Sequence, residues 1–540
     1  LAHPACFTAG EKGAMRVRVP SRIFNTDYLE RIIKMSLQAW ITPAISDEYI
    51  MSKSPKGLFT QSTIRVFKGG RYSESFVINA DKITPDIMPS VEFDDCPGSV
   101  LPEVQIRHVL RWWQSGTWRK RTEEPVLVPE LLTNNPNFVQ TIPGNRNLFP
   151  TDKLDSEELL PISIAFYRNH QFWVTIKIPE DCKSGCYHMR ISLSSRDEKL
   201  AEVKWNIVVL PIELPECPLS YSVFYRSCLG TSEGTNETRQ KSEDDYYKDL
   251  CNMKEHGILY PSIYEPILSD TFEKAIELRR KAGICVSPLY CTRFHAFPGD
   301  KRQVDTGITL EEKRAEFEQA ILKFFKLGIK TVYAYAFDEG KGMELTSQFP
   351  VWNMAQSMGL KVQTTSNRSQ DLFEVAGNRP DLVVIGGLQF NELFYPEVIK
   401  GWNEGGTPVW AYEVTIPELP AAWRSRYGLE LMMNGLSGAC PYAWQSHDGQ
   451  SVWVDDDSPS TLRDHTFTLP GKNGPIDTRQ YEGFSAAGED VKLLRKLIEL
   501  GGTVPNYPKS EKAPPYAAFK GQDLYLIRDN MIDQIMDILY

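Results

Sequence analysis

Up to about residue 218, apolar and polar positions alternate in short runs. In "PISIAFYRNHQFWVTIKIPEDCKSGCYHMRISLSS", Phe172, Val174, Ile176 and Ile178 fall two apart, a turn carrying Pro and Gly follows, and a second alternating run begins. A period of two is the pattern of a strand with one buried face. "AEVKWNIVVLPIEL" repeats it and is closed by Pro211 and Pro215. Short strands separated by turn signals predict an all-β sandwich over residues 1–218. A helix is predicted near "NTDYLERIIKMSLQAW".

From "YSVFYRSCLG" onward the pattern changes to strand, helix, strand. Predicted strands cover 221–225, 257–260, 284–290, 331–337, 361–365, 382–385, 408–412 and 439–443. Segments of helical period lie between most of them, among them "DDYYKDLCNMKEH", "TFEKAIELRRKA" and "LEEKRAEFEQAILKFFKLG", several ending in Gly where a C-terminal cap belongs. Eight such strands alternating with helices match a (β/α)8 TIM barrel over 219–503. An open doubly wound sheet is the rival, weakened because no GxGxxG follows the first strand. Helix resumes at "SAAGEDVKLLRKLIELGG". Residues 504–540 form a C-terminal extension, Pro-rich and then amphipathic.

Size and charge narrow the class. At 540 residues, more than one domain is expected. The net charge of −10 argues against nucleic acid or an anionic membrane as partner. No apolar run approaches the roughly 20 residues needed to span a bilayer. "LAHPACFTAG" lacks the basic and apolar regions of a signal peptide, and a periplasmic or extracellular location is expected with any leader outside this sequence. The ten cysteines are scattered with no CxxC pair, which removes a zinc site; Cys182 and Cys186 flank a turn and suit either a short-loop disulfide or free thiols. Aromatic residues reach 11%, a composition that suits sugar stacking as well as a core.

Barrel enzymes place their chemistry at the C-terminal ends of the strands. Those positions read Tyr225 and Arg226, Tyr260 and Glu265, Tyr290 and Arg293, Asp338 and Glu339, Asn367, Gln389 and Asn391, Tyr412 and Glu413, then Trp444, Gln445 and His447. The ring is aromatic and rich in carboxylates, without a Ser-His-Asp set, and suits glycoside hydrolysis. "TVYAYAFDEG" runs an apolar strand into Asp338–Glu339. One of two close carboxylates is driven toward its protonated form and can serve as general acid. The oxocarbenium-like centre then needs a second group. Either the substrate's own 2-acetamido oxygen attacks, with Asp338 orienting the amide, or a separate carboxylate attacks, for which Glu413 is placed by strand order.

The chain resembles the glycoside hydrolase family 123 group, whose known members are β-N-acetylgalactosaminidases. "QFWVTIKIPEDCKSGCYHMRISL" followed by "VVLPIELPE" is similar to the end of that group's N-terminal sandwich and its linker. "LCNMKEHGILYPSIYEP" is similar to its second barrel strand region, and "YAFDEG" to its Asp-Glu pair on strand four. "PAAWRSRYGLELMMNGLSGACPYAW" and "GPIDTRQYEGFSAAGEDVKLLRKL" resemble its strand-eight region and the helix after it. The resemblance implies substrate-assisted retaining catalysis, with Asp338 orienting the amide and Glu339 as acid/base. Gly340 stands where the family commonly has Pro. Tyr335, Tyr412 and Trp444 are candidates for the acetamido pocket.

Other features weigh less. Asp455, Asp456 and Asp457 lack the spacing of an EF-hand loop and read as a solvated or substrate-rim loop, with Trp453 beside them as a candidate sugar platform and Arg463 and His465 holding the loop. His447 suits a proton relay or a structural hydrogen bond. Arg226 and Arg293 suit a sulfate or carboxylate on an acidic glycan, or barrel salt bridges. Asn236 and Asn367 lie in N-x-S/T contexts. The expectation is a glycoside hydrolase acting on a β-linked N-acetylhexosamine, N-acetylgalactosamine favoured, in an oligosaccharide or polysaccharide. It needs no metal and no organic cofactor. The alternatives are a retaining glycosidase on a non-acetylated sugar, with Glu413 as nucleophile, and a non-catalytic glycan-binding protein with a degenerate barrel.

Overall fold

The computed structural model describes residues 37–47, 59–115, 124–165, 168–230, 238–297, 309–386, 396–412, 418–447, 451–454, 463–505 and 521–540. Two β-sheets come first. One runs, in spatial order, Leu37–Thr42, Arg71–Ala80, Asn169–Lys177, Glu103–Gln114, Val126–Thr133, Gly474–Thr478 and Thr468–Gly471; the other runs Gln61–Val66, Glu198–Val209, Gly185–Ser195, Thr84–Asp94 and Ile162–Ile164. Alternation explains their packing. Phe172, Val174 and Ile176 enter the core between the sheets, where they meet Phe76, Met189, Ile191 and Trp205. Of the segment 25–40 where a helix is expected, residues 25–36 lie outside the described residues. Residues 37–40 belong instead to the strand Leu37–Thr42, paired with the Arg71–Ala80 strand. Its apolar side chains gain more from the sheet than its local helical preference supplies. Cys182 and Cys186 are both free thiols, and Cys182 bonds to the Tyr187 hydroxyl at 3.2 Å.

The second half is a parallel β/α ring. Ser220–Tyr221, Gly438–Ala439, Val409–Ala411, Leu382–Ile385, Lys361–Ser366, Val332–Tyr335 and Leu289–His295 lie side by side, the first, eighth, seventh, sixth, fifth, fourth and third strands. The extended segment 257–263 closes the gap between the first and the third. Tyr260 N donates to Tyr221 O at 3.2 Å, Ser262 N to Val223 O at 3.0 Å, and Ile263 N to Tyr290 O at 2.8 Å. The third strand ends at His295, five residues beyond the expected 290.

Period two also sorts the barrel's inside from its outside. Val332, Ala334 and Ala336 face the surrounding helices, while Tyr333 and Tyr335 face the axis. Leu382, Val384 and Trp410 join them inside. Tyr290 stacks on Tyr333 with ring centroids 4.9 Å apart and meets Trp410 at 4.8 Å, so the lower barrel is a packed aromatic plug. The wall helices carry ordinary caps: Ser242 accepts from Asp245 N, and Thr309 with Glu312 forms a capping box.

Three later elements tie the barrel to the sandwich. The hairpin Thr468–Gly471 and Gly474–Thr478 returns from the barrel to extend the first sheet. Helix Arg479–Glu499 then lies across that sheet. Helix Gly521–Leu539, within the C-terminal extension, packs Met531, Ile532 and Ile535 against Leu493, Leu494 and Leu497.

Charge is buried at this junction. Arg71 Nη2 donates to Glu482 Oε1 at 2.8 Å, and Arg107 bonds to both Glu482 and Asp477. Ser73 and Asn252 complete the set, donating to Glu482 at 3.2 Å and to Asp477 at 2.8 Å. Burial opposes ionisation of Glu482, but Arg71 and Arg107 overcome it and hold the carboxyl well below the usual range. Burial likewise opposes ionisation of Asp477, which His256 and Arg107 hold low.

A carboxylate depressed in the folded state contributes stability that is present above its unfolded pKa and is lost as pH falls through the folded value. Unfolding free energy should therefore decline below about pH 4. Glu482→Gln, which leaves two buried guanidiniums short of a partner, should lose about 3–5 kcal/mol at neutral pH and flatten the acid limb. Denaturant unfolding across pH measures both; a wild-type profile level down to about pH 3 contradicts this role.

Candidate active site

The upper barrel opens into a cavity of about 500 Å³. Its floor is Phe224, whose ring meets those of Tyr335, Tyr412 and Tyr442 at 6.5, 6.4 and 5.7 Å. Arg226, Arg239, Tyr264, Thr292, Arg293, His295, Phe297, Asp338, Glu339 and Thr365 complete much of the wall.

Asp338 and Glu339 both face this space, although neighbours on a strand point to opposite sides. The chain has left the strand by then, and Glu339 takes a left-handed backbone with φ of 55°. Such a conformation is uncommon outside glycine and concentrates at functional sites. The two acids are held by different donors. Asp338 Oδ1 accepts from Tyr335 Oη at 2.9 Å and from Thr365 Oγ1 at 2.7 Å. Glu339 Oε2 accepts from Asn367 Nδ2 at 3.0 Å, and its other oxygen accepts from the Tyr412 hydroxyl. Glu339 N donates to Thr365 Oγ1 at 3.2 Å, which locks the turn against strand five. Burial, reinforced by Asp338, pushes the Tyr335 phenol well above its ordinary pKa, so it stays a donor. Burial and the nearby Lys313 lower the His295 pKa and keep that ring neutral.

Of the residues expected at the strand ends, Arg226, Arg293, Tyr335, Asp338, Glu339 and Tyr412 line the cavity, and Asn367 bonds to Glu339 from its edge. Glu413, Gln389, Asn391 and Asp455 to Asp457 lie outside the described residues. The remainder sit elsewhere. Tyr225 is fully buried on the outer face of strand one, its hydroxyl donating to Asp249 at 3.0 Å. Trp444 faces outward against Tyr225 and Tyr481. Tyr225 is corrected by parity, because Phe224 and Arg226 take the inward places on strand one. Trp444 shares the parity of the inward-facing Tyr442, and its outward side comes from the chain leaving strand geometry after Gly438–Ala439. Tyr260 is half-buried among the plug aromatics. Trp453 is 3% exposed and packs on Trp112, Phe138 and Phe149 in the sandwich, so it is a core residue and not a sugar platform. Glu265 accepts from Thr271 at 2.7 Å, Gln445 accepts from Lys241 at 2.8 Å, and Arg463 pairs with Glu418, all buried.

Sequence reasoning missed Tyr264, His295, Thr365 and Tyr442. Taking strand three to end at 290 hid His295. Alternation back from Asn367 would have pointed to Thr365. Among the described residues, one cluster has the spacing to hold a metal ion, His256 with Asp477 and Glu482. Its carboxylate oxygens are already bonded to Arg71 and Arg107, so the donor set is that of an ion-pair network.

No family model and no curated protein matches this sequence. Among solved structures, the chain is similar to a family 123 glycoside hydrolase from Clostridium perfringens, studied for glycolipid glycan hydrolysis, with a TM-score of 0.62 and 13% identity over 93% of this chain and 97% of that one. It has that enzyme's fold: antiparallel sheets followed by a parallel β/α barrel. A family 39 glycoside hydrolase from Bacteroides cellulosilyticus aligns at a TM-score of 0.35 and 11% identity over 79% and 81% of the two chains, too distant to support an argument. No described helix is long and apolar enough to cross a membrane.

Proposed function

We propose that this protein hydrolyses a β-linked N-acetylhexosaminide, N-acetylgalactosamine favoured, by substrate-assisted retention. The observation that carries the reading is the Asp338–Glu339 pair: adjacent carboxylates facing one aromatic-floored cavity, each held by its own donors. The fold shared with a family 123 enzyme supports the same class.

The chemistry divides between the two acids. Glu339, aimed by Asn367 and Tyr412, gives its proton to the glycosidic oxygen as the C1–O bond breaks. The substrate's acetamido oxygen closes on C1 from the opposite face. Asp338, fixed by Tyr335 and Thr365, accepts the amide N–H and stabilises the positive charge that develops on the ring formed. Glu339, now a carboxylate, takes a proton from water, which attacks C1 as the bond between C1 and the acetamido oxygen breaks, restoring the acetamide and returning the sugar with its original configuration. The aromatic floor offers faces for the sugar's C–H groups.

Aryl β-glycosides with and without the 2-acetamido group test this reading. Turnover is expected only with the acetamido group, and Glu339→Gln should lose about 10²–10⁴-fold, less where the aryl leaving group needs no proton. Asp338→Asn should lose activity whatever the leaving group. Turnover of plain glycosides at a matching rate contradicts substrate assistance.

Thr365→Val keeps the shape while removing the hydroxyl between Asp338 and the Glu339 backbone. It should lower kcat/KM about 10- to 100-fold while changing unfolding free energy by about 1 kcal/mol. Unchanged kinetics would remove Thr365 from the positioning of the pair.

A further inference from the structure

The acids of this cavity stand on strand four and are held from strands four, five and seven. The opposite sector, strands one to three, carries positive charge. Arg226, half-buried at the end of strand one, donates to Ser446 Oγ at 2.6 Å and to the Tyr442 hydroxyl, and lies 5.5 Å from the centre of the Tyr442 ring. All of these partners are neutral. Arg293, exposed on strand three, lines the same cavity and makes no hydrogen bond or ion pair among the described residues. Arg239 adds a third guanidinium to the wall.

Several fully buried arginines are treated differently. Arg107, Arg424 and Arg463 are buried and each is paired with a carboxylate: Asp477, Asp490 and Glu418. Arg279, buried in the barrel wall, is satisfied by the carbonyls of Pro261 and Ser262 at 2.8 and 2.7 Å. Arg226 is held in place by two hydroxyls and an aromatic face, which fix its direction and leave its charge unanswered. A planar guanidinium so held matches an oxyanion in two-point fashion. Partial burial in a cavity also strengthens its attraction for a negative ligand relative to the open surface.

We propose that the glycan accepted here is anionic, carrying a sulfate ester or a carboxylate on the sugar in the cavity or on its neighbour, and that Arg226 and Arg293 receive that group. The proposal deepens the glycosidase reading and rests on it for what enters the cavity. A neutral N-acetylhexosamine uses the acids and the aromatic floor but brings no negative charge to Arg226 and Arg293. An oxyanion on that side places a substrate between opposite charges and fixes which way round it enters.

The test compares three probes: an aryl β-N-acetylgalactosaminide, its O-sulfated forms, and the corresponding glycosides with a linked hexuronic acid. At least one anionic probe should be hydrolysed with a kcat/KM about 10- to 100-fold above the neutral one, and the sulfated and uronic arms tell the two sources of the oxyanion apart. The advantage should shrink as salt is raised and fall toward unity in Arg226→Met and in Arg293→Met. Arg293 is exposed, so its variant reports even where Arg226→Met disturbs the fold. A ratio near one in the wild type, or a ratio untouched by both substitutions, overturns anion recognition, while turnover of the neutral probe leaves the glycosidase reading intact. If no probe is hydrolysed, calorimetry of the sulfated and uronic methyl glycosides decides: binding lost in the arginine variants upholds anion recognition without the hydrolase, and no binding overturns it.

Discussion

The two halves of this protein meet through a buried set of arginines and carboxylates. One sheet of the sandwich uses both faces. Its inner face is mostly apolar, and its outer face presents Arg71, Ser73 and Arg107 to Asp477 and Glu482. Asp477 ends a hairpin that belongs to the sandwich by pairing and to the barrel by chain order, and Glu482 sits one turn into the helix that follows. Through His256 and Asn252, the same cluster reaches the first barrel helix. Ions buried this way tolerate little rearrangement, since losing one partner strands the others in a poorly polar interior. The barrel is therefore fixed in orientation on the sheet.

That fixity passes upward to the cavity through the aromatic interior. Tyr290, Tyr333 and Trp410 fill the lower barrel, and Phe224 with Tyr335, Tyr412 and Tyr442 forms the next layer. The tyrosines of this upper layer have two uses. Their rings pack as core, and the hydroxyls of Tyr335 and Tyr412 hold Asp338 and Glu339. The second layer of the core is thus the first layer of the site, and the carboxylates are placed by packing more than by flexible loops.

Much of this was legible in the chain. Alternation marked the sandwich, and the change to strand and helix marked the barrel. An apolar strand running into two acids marked Asp338 and Glu339. Three things were less legible, for physical reasons. Leu37–Thr42 has a local preference that pairing with a distant strand overrides. The true end of strand three depends on hydrogen bonds to its neighbours, which the run "LYCTRF" does not reveal. Tyr225, Trp444 and Trp453 are large aromatics whose chemistry suits both a core and a sugar platform, and only their side of the strand or their neighbours decide. For Tyr225, parity carried that information. For Trp444, beyond the end of its strand, and for Trp453, in a loop folded back on the sandwich, it did not.

Substrate assistance is the central claim, and a series of aryl β-N-acetylgalactosaminides with zero, one, two and three fluorines on the acetyl methyl tests it most directly. Fluorine withdraws electrons from the carbonyl oxygen while changing the sugar's shape little. If that oxygen is the nucleophile beside Asp338, kcat/KM should fall steeply with each added fluorine, by orders of magnitude across the series. A flat series would contradict the account and move the attacking group into the protein.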